Sequence, residues 1–134
     1  DHPTVSVVVK SDATVQEQLA ANELITHLSV IYPDYQFKIN GRASKKIILA
    51  IDNKMDMQHE AYRMIASARS DTLLQIIGSN MQGVLSGTYD FLTSQGCMFL
   101  LSKTIFPEPK EDFILQDTII PWPTNGLYST GTTF

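Results

Sequence analysis

The sequence predicts a layered α/β domain in which a mixed β-sheet of about six strands carries two main amphipathic helices. Short runs rich in β-branched residues, bounded by turn residues, indicate the strands. Two longer segments place apolar residues at helical spacing. A helix with one apolar stripe has to bury that stripe against another element, so helices and strands in one short chain favour a helix layer on a sheet.

In the first half of the chain, residues 5–9 predict a buried strand. The pattern Thr14-x-x-Glu17 matches a capping box and predicts the start of a helix that ends before Pro33. Its apolar residues form one stripe, so we expect this helix to pack on one side only. The stripe consists of Ala20, Ala21, Leu24, Ile25, Leu28 and Ile31.

The next segments predict four further strands. Residues 35–39 alternate and suit a half-exposed edge strand, whereas residues 47–51 are continuously apolar. Residues 52–59 are polar and predict a surface loop or a short helical turn. Residues 60–67 fit a strand or a helix, and we favour a strand because Ser70-Asp71 would then form a hairpin into residues 72–77.

The second helix is predicted to begin after Asn80, a good cap residue, and to end at Gly96. A strand over residues 97–101 and a short one over 113–115 should follow. Residues 1–120 are therefore expected to form a single domain. From residue 121 the chain is rich in Pro, Thr, Gly and Ser, so residues 121–134 are predicted to be a linker-like tail toward a missing downstream domain.

Composition excludes several classes of protein. The chain has 134 residues, 43% of them hydrophobic, which is enough for one core, and its net charge of -4 gives no basic footprint for nucleic acid. No apolar run is long enough for a membrane span. Cys97 is the only cysteine, so no internal disulfide can form, and its apolar neighbours predict a buried, inert thiol.

The motifs that carry chemistry are incomplete. The stretch from Gly78 to Gly83 has the glycine spacing of a phosphate-binding loop, but Val84 and Leu85 stand where that loop needs Lys and Ser or Thr. His2, His27 and His59 lack the spacing of a zinc site. The acidic groups of the loops are expected to be solvated. We therefore predict no catalytic residue, no cofactor and no metal ligand.

Two aromatic residues of the tail, Trp122 and Tyr128, are the candidate contact residues. Aromatic rings in a terminal segment can anchor it against a neighbouring domain, which is the interpretation that we favour. They can also stack on a sugar ring, and that alternative stays open.

One ordered set of motifs resembles a known family. Residues 73–78, then Gly83-Val84-Leu85-Ser86-Gly87-Thr88-Tyr89-Asp90-Phe91-Leu92, then residues 96–99, are similar to the N-terminal α/β domain of certain glycoside hydrolases. These are the α-glucuronidases and the β-N-acetylhexosaminidases, whose domain is described as chitobiase domain 2-like. The resemblance covers about residues 5–118, although Met98 stands where those families commonly have Arg or a similar residue.

This resemblance implies a non-catalytic accessory domain of a secreted or periplasmic enzyme that acts on polysaccharide. Its partner would be a catalytic barrel downstream in the same polypeptide, and no catalytic residue is carried over to this chain. Two alternatives remain: a free-standing carbohydrate-binding module and a small self-contained hydrolase. The module would use exposed aromatic residues in a cleft, for which the candidates are Tyr32, Tyr35, Tyr62, Trp122 and Tyr128.

Overall fold

A computed structural model describes residues 3–10, 12, 15–52, 62–115 and 117–124, with the backbone alone for residues 16 and 120–124. The elements follow the order β1 (Thr4–Val8), α1 (Val15–Ile31), β2 (Gln36–Ile39), β3 (Lys45–Ile51), β4 (Tyr62–Ala66), β5 (Thr72–Gly78), α2 (Met81–Ser94), β6 (Met98–Phe99), β7 (Thr104–Ile105) and β8 (Thr118–Thr124).

Six of the strands form one mixed sheet in the order β2-β1-β3-β5-β4-β8. The first four are mutually parallel, and β4 runs antiparallel to both of its neighbours. The predicted mixed sheet with two helices is therefore confirmed, as are the β4–β5 hairpin and the edge position of β2.

The core lies between this sheet and the two helices, which also contact each other. Alternate residues of the central strands face the helices and are buried, as the period of a strand requires. They include Val5, Val7, Ile47, Leu49, Leu74 and Ile76. The predicted stripe of α1 lies against them, with Ala20, Leu24 and Leu28 inaccessible to solvent.

Local chemistry fixes both ends of α2, as predicted. The side chain of Asn80 accepts a hydrogen bond from the amide of Gly83 at 2.9 Å, which satisfies one of the donors that a helix start leaves unpaired. After the last turn, Gly96 adopts a φ of 111°, a conformation that side-chain-bearing residues rarely adopt.

Two predicted strands are wrong in extent or in kind. Of residues 97–101, only β6 is a strand, and it forms a small hairpin with β7. Residues 113–115 pair with no strand among the described residues. Phe113 and Leu115 are buried at alternate positions, and this alternation is the same pattern that a strand shows. The amide of Phe113, however, donates its hydrogen bond to the hydroxyl of Tyr35, at 3.0 Å, and not to a neighbouring strand.

The sheet also extends past the predicted domain boundary. β8 contains Pro121 and Pro123 and pairs antiparallel with β4, so the first four residues of the predicted linker-like tail belong to the sheet. Proline is tolerated there because β8 is an edge strand and a missing amide hydrogen costs no bond on the open side. The rest of the tail, and the predicted loop from residue 53 onward, lie outside the described residues.

Candidate functional site

Exposed apolar side chains are concentrated on the helix layer. Eleven large hydrophobic residues are exposed among those that the structure describes, and eight of them lie on α1 or on the segment from β6 to β7. We call these eight the helix-layer patch: Val15, Leu19, Val30, Met98, Phe99, Leu100, Leu101 and Ile105. A concentration of exposed apolar side chains is typical of sites that another protein surface covers.

Aromatic contacts hold the β6–β7 hairpin on the helices. The ring centroid of Phe99 lies 5.4 Å from that of His27 on α1 and 5.2 Å from that of Tyr89 on α2. Phe106 lies 5.5 Å from His27 on the same side of the hairpin. The hairpin is thus fixed to both helices while Leu100 and Leu101 remain exposed.

These contacts explain the burial of His27, which the helical pattern places off the main stripe. The residue is only 7% exposed because the hairpin covers it, and its Nδ1 donates to the carbonyl oxygen of Glu23 at 2.7 Å. A buried imidazole with a backbone partner and two aromatic neighbours is a packing residue.

Helix α1 also carries apolar side chains outside its inner stripe. Its inner stripe packs on the sheet, but Val15, Leu19 and Val30 are apolar and exposed on other positions of the same helix. The helix contains no Lys or Arg, and of its two acidic residues Glu17 is buried. A helix with so little charge and with exposed apolar positions is typical of one that is covered on more than one side.

A second candidate site is a cleft of about 540 Å³ between α2, β4 and the segment that leads into β8. Its apolar lining includes Met64, Ala66, Phe91 and Leu115. Two exposed carboxylates, those of Asp90 and Asp112, also line it, and we call it the Asp90–Asp112 cleft. Its volume falls within the range of about 300–1,000 Å³ that is usual for ligand sites.

Hydrogen bonds donated by two buried tyrosines connect the elements that line this cleft. The hydroxyl of Tyr62 donates to a carboxylate oxygen of Asp90 at 2.6 Å, and that of Tyr32 donates to the side-chain oxygen of Gln95. Burial, with a smaller contribution from Tyr35, raises the pKa of Tyr32 to about 12. Burial and the Asp90 carboxylate raise the pKa of Tyr62 further.

Lys110, which lines the cleft, does not neutralise its carboxylates by direct contact. The Lys110 ammonium donates to the backbone carbonyl of Gln95 at 3.1 Å and lies 6.0 Å from the centroid of the Tyr32 ring. The described residues show no ion pair between this ammonium and the carboxylate of Asp90 or Asp112.

Among Tyr32, Tyr35 and Tyr62, only Tyr32 is a described lining residue of the cleft. Tyr32 and Tyr62 are each 2% exposed, so their rings offer no face for stacking on a sugar, and Tyr35 is half-buried among aromatic rings. Trp122 lies in β8, where the register with β4 shifts. Its side chain and the whole of Tyr128 lie outside the described part of the chain.

The Gly-rich turn before α2 serves packing. A Cβ on Gly78 would come within 2.5 Å of the amide nitrogen of Val84, so the turn requires glycine. The side chain of Asn80 already uses the amide of Gly83, one of the donors that a phosphate would need. The glycines of this turn thus allow the close approach of α2 to the end of β5.

The described part of the chain offers neither an accessible thiol nor a metal-binding cluster. Cys97 is buried, as predicted, and burial raises the pKa of its thiol, so it is a poor nucleophile. Within the described ranges no three His, Cys, Asp or Glu side chains could hold a metal ion. Neither α1 nor α2 is long and apolar enough to cross a membrane.

Comparison with known proteins adds no relative. No protein-family model matches the chain, and no curated protein matches it in sequence.

Proposed function

We propose that this chain is a non-catalytic accessory domain of a secreted glycoside hydrolase that acts on polysaccharide. Its helix-layer patch would pack against a catalytic barrel downstream in the same polypeptide. The observation that carries this proposal is the concentration of eight exposed apolar side chains on one layer of the domain. The motif order from residue 73 to residue 99 supports the choice of enzyme class.

The patch suits an interdomain contact because its parts are rigidly placed. Phe99 is fixed between His27 and Tyr89, so the hairpin presents Leu101 without a large loss of conformational freedom on docking. Leu101 is fully exposed in this chain. Burying such a side chain contributes about 1.5–3 kcal/mol, so a few of them stabilise a domain contact.

Of the two alternatives, the carbohydrate-binding module loses support from the burial of Tyr32 and Tyr62. The self-contained hydrolase requires a pair of converging carboxylates with distinct environments. Asp90 and Asp112 line one cleft, but both are exposed, so neither has the burial that turns a carboxyl group into a general acid.

The test uses the native polypeptide, detected with an antibody raised against this domain. We expect a band several times larger than 15.0 kDa in the exported fraction. In that polypeptide, hydrogen exchange at the amides of residues 98–105 should be slower than in the isolated chain. A native band near 15.0 kDa, or equal exchange in both, would contradict the proposal.

A pair of variants separates docking from folding. Leu101→Ser should lower the melting temperature of the long polypeptide and leave the isolated chain unchanged, because the side chain is exposed there. Ile119→Ser is the matched control, since Ile119 is 70% exposed and lies outside the helix-layer patch. Equal effects of the two variants on the long polypeptide would exclude this patch as the contact.

A further inference from the structure

The described lining of the Asp90–Asp112 cleft combines apolar side chains with two carboxylates and one ammonium, so its net charge is negative. Met64 and Ala66 of β4 and Leu115 contribute apolar surface, and no described residue of the lining is an exposed aromatic. The two carboxylates lie at the same cleft, one on α2 and the other on the segment before β8. Such a lining matches a ligand that has an apolar stem and a positively charged end.

The carboxylates of the cleft have acceptor capacity for a further cation. Lys110 is the one cationic side chain among the described residues of its lining, and its ammonium donates to the Gln95 carbonyl rather than to either carboxylate. Asp90 receives the hydroxyl of Tyr62 on one oxygen, which leaves acceptor capacity on the other. Asp112 makes no hydrogen bond or ion pair with the described residues.

We propose that the Asp90–Asp112 cleft binds an organic cation, an ammonium or guanidinium group carried on an aliphatic stem. Such a ligand could be a free alkylamine or alkylguanidine, or the Lys or Arg side chain of another protein, since both present the same chemistry. The site differs from the helix-layer patch in position and in chemistry, so the assignment does not depend on the proposed docking role.

Two other ligand classes fit the lining less well. A sugar ring would need an exposed aromatic face or a dense set of donors, but Tyr32 and Phe91, the aromatic residues among the described lining, are 2% and 3% exposed. An inorganic cation would need three or more convergent ligands, which the described residues do not provide.

Three ligands with the same stem test the charge requirement. We would titrate the chain with butylamine, butanol and butyrate and follow its amide signals by two-dimensional NMR. Butylamine should shift the signals of Asp90, Gln95 and residues 112–115, with a dissociation constant on the order of 1 mM. Butanol and butyrate should not shift them. Equal shifts by the amine and the alcohol, or no shift at all, would overturn the assignment.

Charge variants test the two carboxylates. Asp112→Asn should weaken butylamine binding by up to about fivefold, the range for an exposed ion pair. Lys110→Gln should strengthen it by removing a like charge. Asp71→Asn is the matched control, because Asp71 is exposed and pairs with Lys45 outside the cleft. Binding that is unchanged in Asp112→Asn, or equally weakened in Asp71→Asn, would contradict the site.

Two further ligands distinguish the sources of the cation. Propylguanidine represents a free alkylguanidine, and a capped Gly-Arg-Gly peptide represents a protein side chain with the same single charge. Tighter binding of propylguanidine would assign the cleft to a small molecule, whereas tighter binding of the peptide would assign it to a partner protein. If neither shifts the signals of the cleft, the proposal fails.

Discussion

The hydroxyl of Tyr62 donates a hydrogen bond to the carboxylate of Asp90 at 2.6 Å, which joins β4 to α2 across 28 positions of sequence. The ring of the same tyrosine is buried beneath α2, next to Gly87. One residue therefore fixes both the height of the helix above the sheet and its rotation. The first two predictions test these contacts separately.

Removing the hydroxyl should weaken the attachment of α2 to β4. We expect Tyr62→Phe to lower the free energy of unfolding by about 1.5 kcal/mol, the usual value for a hydrogen bond to a charged acceptor. Urea denaturation followed by circular dichroism measures it. Tyr89→Phe is the control, because the structure shows no hydrogen bond from the Tyr89 hydroxyl to the described residues. Equal losses in both variants would show that the hydroxyl of Tyr62 contributes nothing specific.

A side chain at position 87 should push α2 away from the sheet. A Cβ there would come within 2.6 Å of a methyl group of Ile76 and within 3.1 Å of the Tyr62 ring. We expect Gly87→Ala to destabilise the domain by about 1–3 kcal/mol in urea denaturation, although alanine is the better helix former. Combined with Ile76→Ala, the substitution should cost less than the sum of the single effects. Additive costs would contradict the clash.

Alkaline conditions should destabilise the domain through the buried tyrosines. The pKa of Tyr32 rises from 10.0 to about 12 on folding, and that of Tyr62 also rises. A phenol with a raised folded-state pKa stabilises the fold fully below pH 10, and this contribution is lost as the pH increases toward 12. In a titration followed by the ultraviolet absorbance of tyrosinate, some tyrosines of the folded chain should ionise at a higher pH than free tyrosine. In the unfolded chain, the same tyrosines should ionise at the pH usual for free tyrosine.

The assignment of one late phenol can be checked by substitution. Tyr32→Phe should remove one late-titrating group and leave the others. If every phenol of the folded chain ionised near pH 10, the raised pKa values would be refuted.

Cys97 should resist modification in the folded chain. The thiol is buried and its pKa is raised by burial, so both access and thiolate formation are unfavourable. We expect Ellman's reagent to react with it slowly under native conditions and rapidly in concentrated urea. A rapid native reaction would mean that the segment from Gly96 to β6 opens readily.

The elements with strong local signals are predicted well from sequence. Asn80 and Gly96 bound α2 because a cap side chain and a positive φ are requirements of the backbone itself. The β4–β5 hairpin follows from its turn, Ser70-Asp71. Within these elements, neighbours in sequence supply the deciding interactions, so a single sequence contains the necessary information.

Features that depend on distant contacts are not predicted. β8 pairs with β4 more than fifty positions away, and its two prolines conceal the strand in a local pattern. His27 is covered by a hairpin whose position no helical pattern reveals. The Asp90–Asp112 cleft combines α2, β4 and the segment before β8, so its carboxylates come together only through the register of the sheet.

The two ends of the sheet have consequences for contact between copies of the chain. An edge strand presents unpaired amides and carbonyls, which can recruit a strand from another molecule. On one edge, Pro121 and Pro123 of β8 lack the amide hydrogens that a continuous added strand would require. On the other, β2 contains only four residues. Both edges thus disfavour the addition of strands from other molecules to the sheet. We therefore expect a concentrated solution of the protein to form few fibrils.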